Sequence, residues 1–385
     1  MNIHPYANKI FEQVKQWRHY IHKNPELSLQ EYETAKFVKS KLDEMEIPYI
    51  EISETAIVAT IKKGNGNRAI GMRCELDALP MTEKNNFAHK SQNSGVMHAC
   101  GHDGHTAMLL GACKALKEVG EFDGIIHLIF QPGEEGAGGA EIMIKEGLLE
   151  KCPMEEIYAV HNWPDIKIGQ AGIISGPIMA ATDTFEITLI GRSGHAAMPN
   201  KNIDPVVAGS HLITALQTIV SRNVDPVDKA VLSTTIVNSG SATNVISDKI
   251  TISGTVRTFL ADTSDLIEKR IGEMVTGFGI AFKVDSKYDY KRCYPATIND
   301  KIVTENADAV ISNVLGNKNI IRDLSPCMGS EDFSYMLKKV SGNYLFLGNG
   351  DSKSLHNTEF DFNDELIPIG ISYWLELAKQ RLSNS

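Results

Sequence analysis

Apolar and polar positions along the chain change period several times. Over 31–45, Ala35, Val38 and Leu42 recur at helical spacing with charge on the opposite side, which predicts an amphipathic helix. Four short apolar runs, 69–74, 124–130, 156–160 and 343–347, predict strands, and each runs directly into polar residues. At their carboxyl ends lie Glu75 and Asp77, Glu134 and Glu135, His161, and the loop leading to His356. Ligands bind outside the carboxyl ends of the strands in open α/β sheets, so one pocket fed by four strand ends is expected. From about 178 to 292 the rhythm differs. A strand over 184–190 precedes a helix over 204–221 whose stripe is Val206, Val207, Ile213, Leu216 and Ile219. Strands 230–237 and 249–259, a helix over 264–278 and a strand over 281–288 follow. The expected class is therefore α/β: a larger domain, residues 1–178 and 293–385, built on a mostly parallel sheet with helices on both faces. Into it is inserted a ferredoxin-like βαββαβ domain, residues 179–292.

Composition removes several alternatives. With 42% hydrophobic and 22% charged residues over 385 positions, the chain can bury a core, which excludes wholesale disorder. A net charge of −10 argues against nucleic acid as a partner, because phosphates are met by clustered Lys and Arg. No apolar run approaches the roughly 18 residues of a membrane span, and the start of the chain lacks the apolar core of a signal peptide. No membrane association and a cytoplasmic location are thus expected, with the six scattered cysteines reduced.

The candidate chemistry lies at the strand ends. Met97-His98-Ala99-Cys100-Gly101-His102-Asp103-Gly104-His105 concentrates the thiolate and imidazole donors that transition metals select, and Gly101 lets two donors fold around one ion. Phe130-Gln131-Pro132-Gly133-Glu134-Glu135-Gly136 sets two adjacent carboxylates in a glycine-rich loop, where diverging side chains allow one to ligate and the other to act as a base. His161 and His356 are weak signals singly. For each motif there is a bland alternative: a buried thiol, a satisfied histidine, a solvent-facing turn. Four motifs at four strand ends outweigh it together. Their donors, Cys, His, Glu, His and His, exceed the three protein ligands of one catalytic zinc, so two metals are the better count. Two other readings use the same residues: Cys100 as a nucleophile with a histidine base, or a binding protein that keeps a metal site without turnover.

Taken together the motifs resemble the metallopeptidase-20 superfamily, and within it the amidohydrolase branch of hippurate hydrolases, N-acetyldiaminopimelate deacetylases and auxin-conjugate hydrolases. The resemblance runs from His22-Lys23-Asn24-Pro25-Glu26-Leu27 to His356-Asn357, and is densest at 97–105, 131–139 and Met328-Gly329-Ser330-Glu331-Asp332-Phe333. It implies that Cys100, His102, Glu135, His161 and His356 ligate two divalent ions, zinc or manganese first, with cobalt and nickel also compatible. It further implies Glu134 as general base, Asp77 orienting a ligand, His195 donating to an oxyanion, and Asn244 and Arg257 holding the carboxylate of a small N-acyl-L-amino acid. A dipeptidase or carboxypeptidase on the same site is the neighbouring reading. In similar enzymes the His195 equivalent reaches an active site across a dimer interface, so a homodimer or higher oligomer through the insert is expected. Trp163, Met179 and Met198 are candidates to line the acyl group. One departure stands out: Glu75 occupies a position where this branch usually carries Asp, which leaves its role open.

Overall fold

The computed structural model describes residues 1–383. It divides into two compact units, one comprising Met1–Ile178, Ile298–Ser325 and the chain from Asp332 onward, the other Met179–Thr297 and Pro326–Glu331.

The first unit is organised by an eight-stranded sheet. Its order is Tyr49–Glu51, Ile57–Lys63, Gly124–Gln131, Ala69–Glu75, Glu156–Pro164, Ser341–Gly350, Ala171–Gly172, Ile320–Ile321. The four predicted strands are the four in the middle, and they run parallel to one another. Antiparallel pairing appears toward the edges, from Gly124–Gln131 outward on one side and between Ser341–Gly350 and Ala171–Gly172 on the other. The mostly parallel sheet expected from the sequence is observed, parallel through its centre with antiparallel pairings toward its edges. Gly124–Gln131 and Glu156–Pro164 flank the earlier Ala69–Glu75 on opposite sides, which is the strand arrangement that opens a crevice at the carboxyl ends. Burial explains why the runs are largely apolar: every residue of Ala69–Glu75 is buried, as in a central parallel strand covered on both faces, and its one cation, Arg73, is paired with Glu75.

Helices form where the stripe demands. Tyr32–Glu44 buries Thr34, Ala35, Val38 and Leu42, close to the predicted span. Each fully buried Val or Leu of that stripe contributes about 1.5–3 kcal/mol relative to exposure. His102–Val119 is buried over most of its length and packs against Pro5–Lys23 and Leu366–Arg381, so the helix that starts at the site is fixed by the core of the unit. Among the described residues no helix is long and apolar enough to cross a membrane.

The second unit carries a four-stranded antiparallel sheet in the order Ala230–Ser239, Lys249–Thr258, Ala181–Ile190, Asp285–Arg292. Helices Pro205–Arg222 and Ala261–Phe282 pack on it around Phe185, Ile187, Leu189, Leu212, Leu216, Ile252 and Ile271. Asp204 caps the first helix, its Oδ1 accepting from Val206 N at 2.9 Å. The strand predicted over 281–288 starts only at Asp285, because the preceding helix continues to Phe282 and ends on Lys283 in the left-handed region at φ 60°. Phe278 and Phe282 stack at 5.8 Å, so those apolar positions are spent on helix packing.

Candidate metal centre

Cys100 and His102 flank the start of a helix, with Gly101 as its cap at φ 97°. A Cβ at Gly101 would stand 2.0 Å from Asn162 Oδ1, so glycine is required both for the turn and for the close approach. His161 projects from the carboxyl end of Glu156–Pro164, and its Nε2 lies 3.4 Å from Cys100 Sγ. Donor atoms of Cys100, His102 and His161 all fall within 4.8 Å of one another, and all three residues are buried. Both rings use Nδ1 for support. His102 Nδ1 is 2.9 Å from Asp77 O and 3.2 Å from Asp77 Oδ1, and His161 Nδ1 donates to Asn162 O at 2.7 Å. That leaves each Nε2 to face the thiol, the arrangement by which outer hydrogen bonds fix the tautomer of a ligating histidine.

The glutamate loop meets the same point. Cys100, Glu135 and His356 form a second group within 4.8 Å, and His102, Glu134 and Glu135 a third. His356 is held at φ 62°, strained for a residue with a side chain, and its amide donates to Ala99 O at 2.8 Å. The loop is clamped from beneath. Asp77 Oδ2 accepts from Glu135 N at 2.9 Å and from Ser28 Oγ at 2.6 Å, while Glu31 Oε1 accepts from Gly133 N at 2.8 Å. Ser28 and Glu31 were not singled out from the sequence. Asp77 lies 49 residues from Ser28 and Gly133 lies 102 residues from Glu31, and nothing local marks either pair. Burial, together with the nearby Asp77 charge, pushes the Glu31 carboxyl up to about 7.

Electrostatics in the metal-free chain follow from crowding negative groups around buried donors. Burial pulls the His102 imidazole down, but the Asp77 hydrogen bond and the charges of Glu75, Asp77 and Glu135 outweigh it and raise it to about 10. Burial, reinforced by Glu135 and Glu134, pushes the Cys100 thiol well above its ordinary value. Burial and the neighbouring His105 hold His161 well below the ordinary histidine value, and therefore neutral. A cation is what this set of groups calls for. Buried polar atoms without a hydrogen-bond partner gather here too, namely His102 Nε2 and both side-chain polar atoms of Asn162. The donor set fits divalent metal.

Glu75, whose role the sequence left open, is fully buried, pairs with Arg73 and lies 2.8 Å from His105 Nδ1. Trp163 stacks on Phe346 at 3.9 Å beside His161. Met179 is buried and Met198 exposed in the second unit.

His195, Asn244 and Arg257 all belong to the second unit. The short strand Gly194–His195 pairs with Val245–Ile246, and Ala196 N donates to Asn244 O at 3.0 Å, so the His195 and Asn244 loops are tied together and both residues are exposed. His195 Nδ1 accepts from Ala197 N at 3.1 Å, which puts the proton of the neutral ring on Nε2. Arg257 is half-buried, bonded to Thr182 Oγ1 and, at 3.2 Å, to Ser330 Oγ.

The chain matches the peptidase family M20/M25/M40 over residues 71–380. It is 40% identical over 383 residues to a hippurate hydrolase of Campylobacter jejuni, covering 99% of this chain and 100% of that one. It is 37% identical over 371 residues to an N-acetyl-L-cysteine deacetylase of Bacillus subtilis, covering 96% and 88%. A crystal structure from Bacillus subtilis, described as a dinuclear metal-binding peptidase of the M20 family, superposes with a TM-score of 0.85 at 30% identity, covering 98% of this chain and all of that one. With a thiol and an imidazole at a helix start facing an imidazole and paired carboxylates at parallel strand ends, the chain belongs to the M20/M25/M40 peptidase family and is a hydrolase of amide bonds.

Proposed function

We propose that the protein hydrolyses the amide bond of N-acyl-L-amino acids of the hippurate or N-acetyl type, releasing a carboxylic acid and a free amino acid, with two divalent ions. The observation that carries this reading is that two donor groups meet at Cys100, one completed by His102 and His161 and the other by Glu135 and His356, with Glu134 beside them. Ions held there would supply Lewis acidity, polarising the acyl oxygen and making water reactive at neutral pH. Asp77 fixes His102 by its carbonyl and carboxylate, and fixes the glutamate loop through Glu135 N. Glu134 takes a proton from the attacking water and returns it to the leaving amine. His195 donates its Nε2 proton to the developing oxyanion, and Arg257 with Asn244 holds the substrate carboxylate. A thiol mechanism is disfavoured by the surroundings of Cys100, since burial and two adjacent carboxylates oppose the thiolate that would have to attack. The defining experiment is a panel of N-acetyl, N-benzoyl and indolylacetyl amino acids, with dipeptides, assayed after zinc, manganese, cobalt or nickel is returned to stripped protein. Turnover of dipeptides with none of the N-acyl amino acids would sink the proposal.

Recognition of the carboxylate makes a separate prediction. Methyl esters of good substrates should lose roughly 10–100-fold in kcat/KM, the worth of a charge-assisted hydrogen bond. Arg257→Ala should lose a similar factor on the free acids and almost nothing further on the esters, because its partner is then already gone. Equal losses on both would remove Arg257 from that role.

For the second unit we propose a homodimer. Its strand Ala230–Ser239 lies at the edge of the sheet among the described residues and carries Ile236 and Val237, each 51% exposed, and such an edge invites another strand. Ile236→Lys should convert the dimer to a monomer in light scattering, and a wild-type chain that already runs as a monomer would end the idea.

A further inference from the structure

Three histidines crowd one corner of the centre, and one of them is built for a different task. Pairing between Ala69–Glu75 and Glu156–Pro164 ends where Arg73 faces Ala159. Beyond that point the Asn162 N–H has no strand on that side, and it donates instead to His105 Nε2 at 3.0 Å. A backbone amide only donates, so His105 Nε2 carries a lone pair, and the proton of the neutral ring sits on Nδ1, 2.8 Å from Glu75 Oε2. Both nitrogens are thereby committed. His105 has no lone pair left for a metal, even though it forms a close three-donor group with Glu75 and His102.

Glu75 is itself held from behind by Arg73, whose Nε donates to Gln131 Oε1 at 2.8 Å and whose second amino group donates to Asp332 Oδ1 at 2.9 Å. Arg73, Glu75, His105, Gln131 and Asp332 are all buried. The extra methylene of glutamate over aspartate is the reach with which one carboxylate serves both the guanidinium and the imidazole. The far end of the chain is the peptide joining His161 to Asn162. Fixing that peptide fixes ψ of His161, and the Asn162 carbonyl fixes its ring.

We infer that His105 is a positioning residue: oriented by Glu75, it locks the His161–Asn162 peptide and so aims His161 Nε2 at the point it shares with Cys100. The inference rests on the two-metal reading above. The test is competitive titration of the stripped full-length protein with zinc alone against a chromogenic chelator, alongside the melting temperature of the metal-free forms. His105→Ala should weaken one of two bound ions by about 10–100-fold, the usual cost of losing an outer partner of a ligand, and leave the other unchanged. His105→Gln, whose amide oxygen can accept from Asn162 N, should recover most of that loss. Glu75→Asp should weaken the same ion, and it serves as the probe should His105→Ala fail to fold. Two ions bound by folded His105→Ala with wild-type affinity would overturn the inference, as would a folded His105→Gln protein that has lost one ion outright, since that would make His105 a ligand. Wild-type protein binding fewer than two ions would instead overturn the metal reading, and the inference with it.

Discussion

Glu134→Gln is expected to bind substrate and metal as wild type does and to lose 10²–10⁴-fold in kcat. The factor is that of a positioned general base, and the substitution keeps shape while removing basicity. Glu134 is buried at the rim of the donor groups, and its neighbour Glu135 is the carboxylate whose amide is tied to Asp77. Adjacent residues direct their side chains apart, so one loop supplies both a donor and a base. Metal content separates the two roles. If the Gln variant loses an ion together with its activity, Glu134 is a ligand, and if it retains wild-type kcat, the proton is moved by another group.

Stripping the metal should abolish turnover to background and restoring a suitable divalent ion should recover it, the second large effect. Its pH dependence has a definite sign. In the metal-free chain the imidazole of His102 is held protonated up to about 10 and the Cys100 thiol is pushed up by burial and carboxylates. An ion must displace both protons, so affinity rises with pH and is lost as pH falls. Equilibrium dialysis against zinc from pH 6 to 9, at fixed ionic strength, should show that climb. A flat profile would mean that the ion binds without displacing either proton, and would remove Cys100 and His102 from the ligand set.

The contrast between what the sequence reveals and what it hides has a physical basis. The central strands are legible because burial makes them largely apolar runs, and the donors are legible because Cys, His and paired Glu cluster in short motifs at strand ends and at one helix start. Where two elements compete for the same apolar residues the signal fails: Phe282 could open the strand over 281–288, yet it closes the preceding helix and stacks on Phe278. The supports of the site are the least visible. Ser28, donating to Glu135 O, and Glu31, accepting from Gly133 N, reach the glutamate loop across about a hundred residues, and the tautomer of His105 depends on one amide donor that exists only because a neighbouring strand stops short. Tertiary contacts of that kind leave no period to read.

The parallel centre of the sheet also has a history during synthesis. Glu156–Pro164 needs Ser341–Gly350 as its neighbour, and the second unit is encoded between them. At about 5–20 residues per second the ribosome makes the missing strand roughly 10–35 s after the first. Through that interval the nascent chain presents an apolar strand with an open side, and it still lacks His356. On the two-metal proposal the full ligand set exists only once His356 has been made, near the end of the chain, and until then one side of Glu156–Pro164 waits for its partner strand.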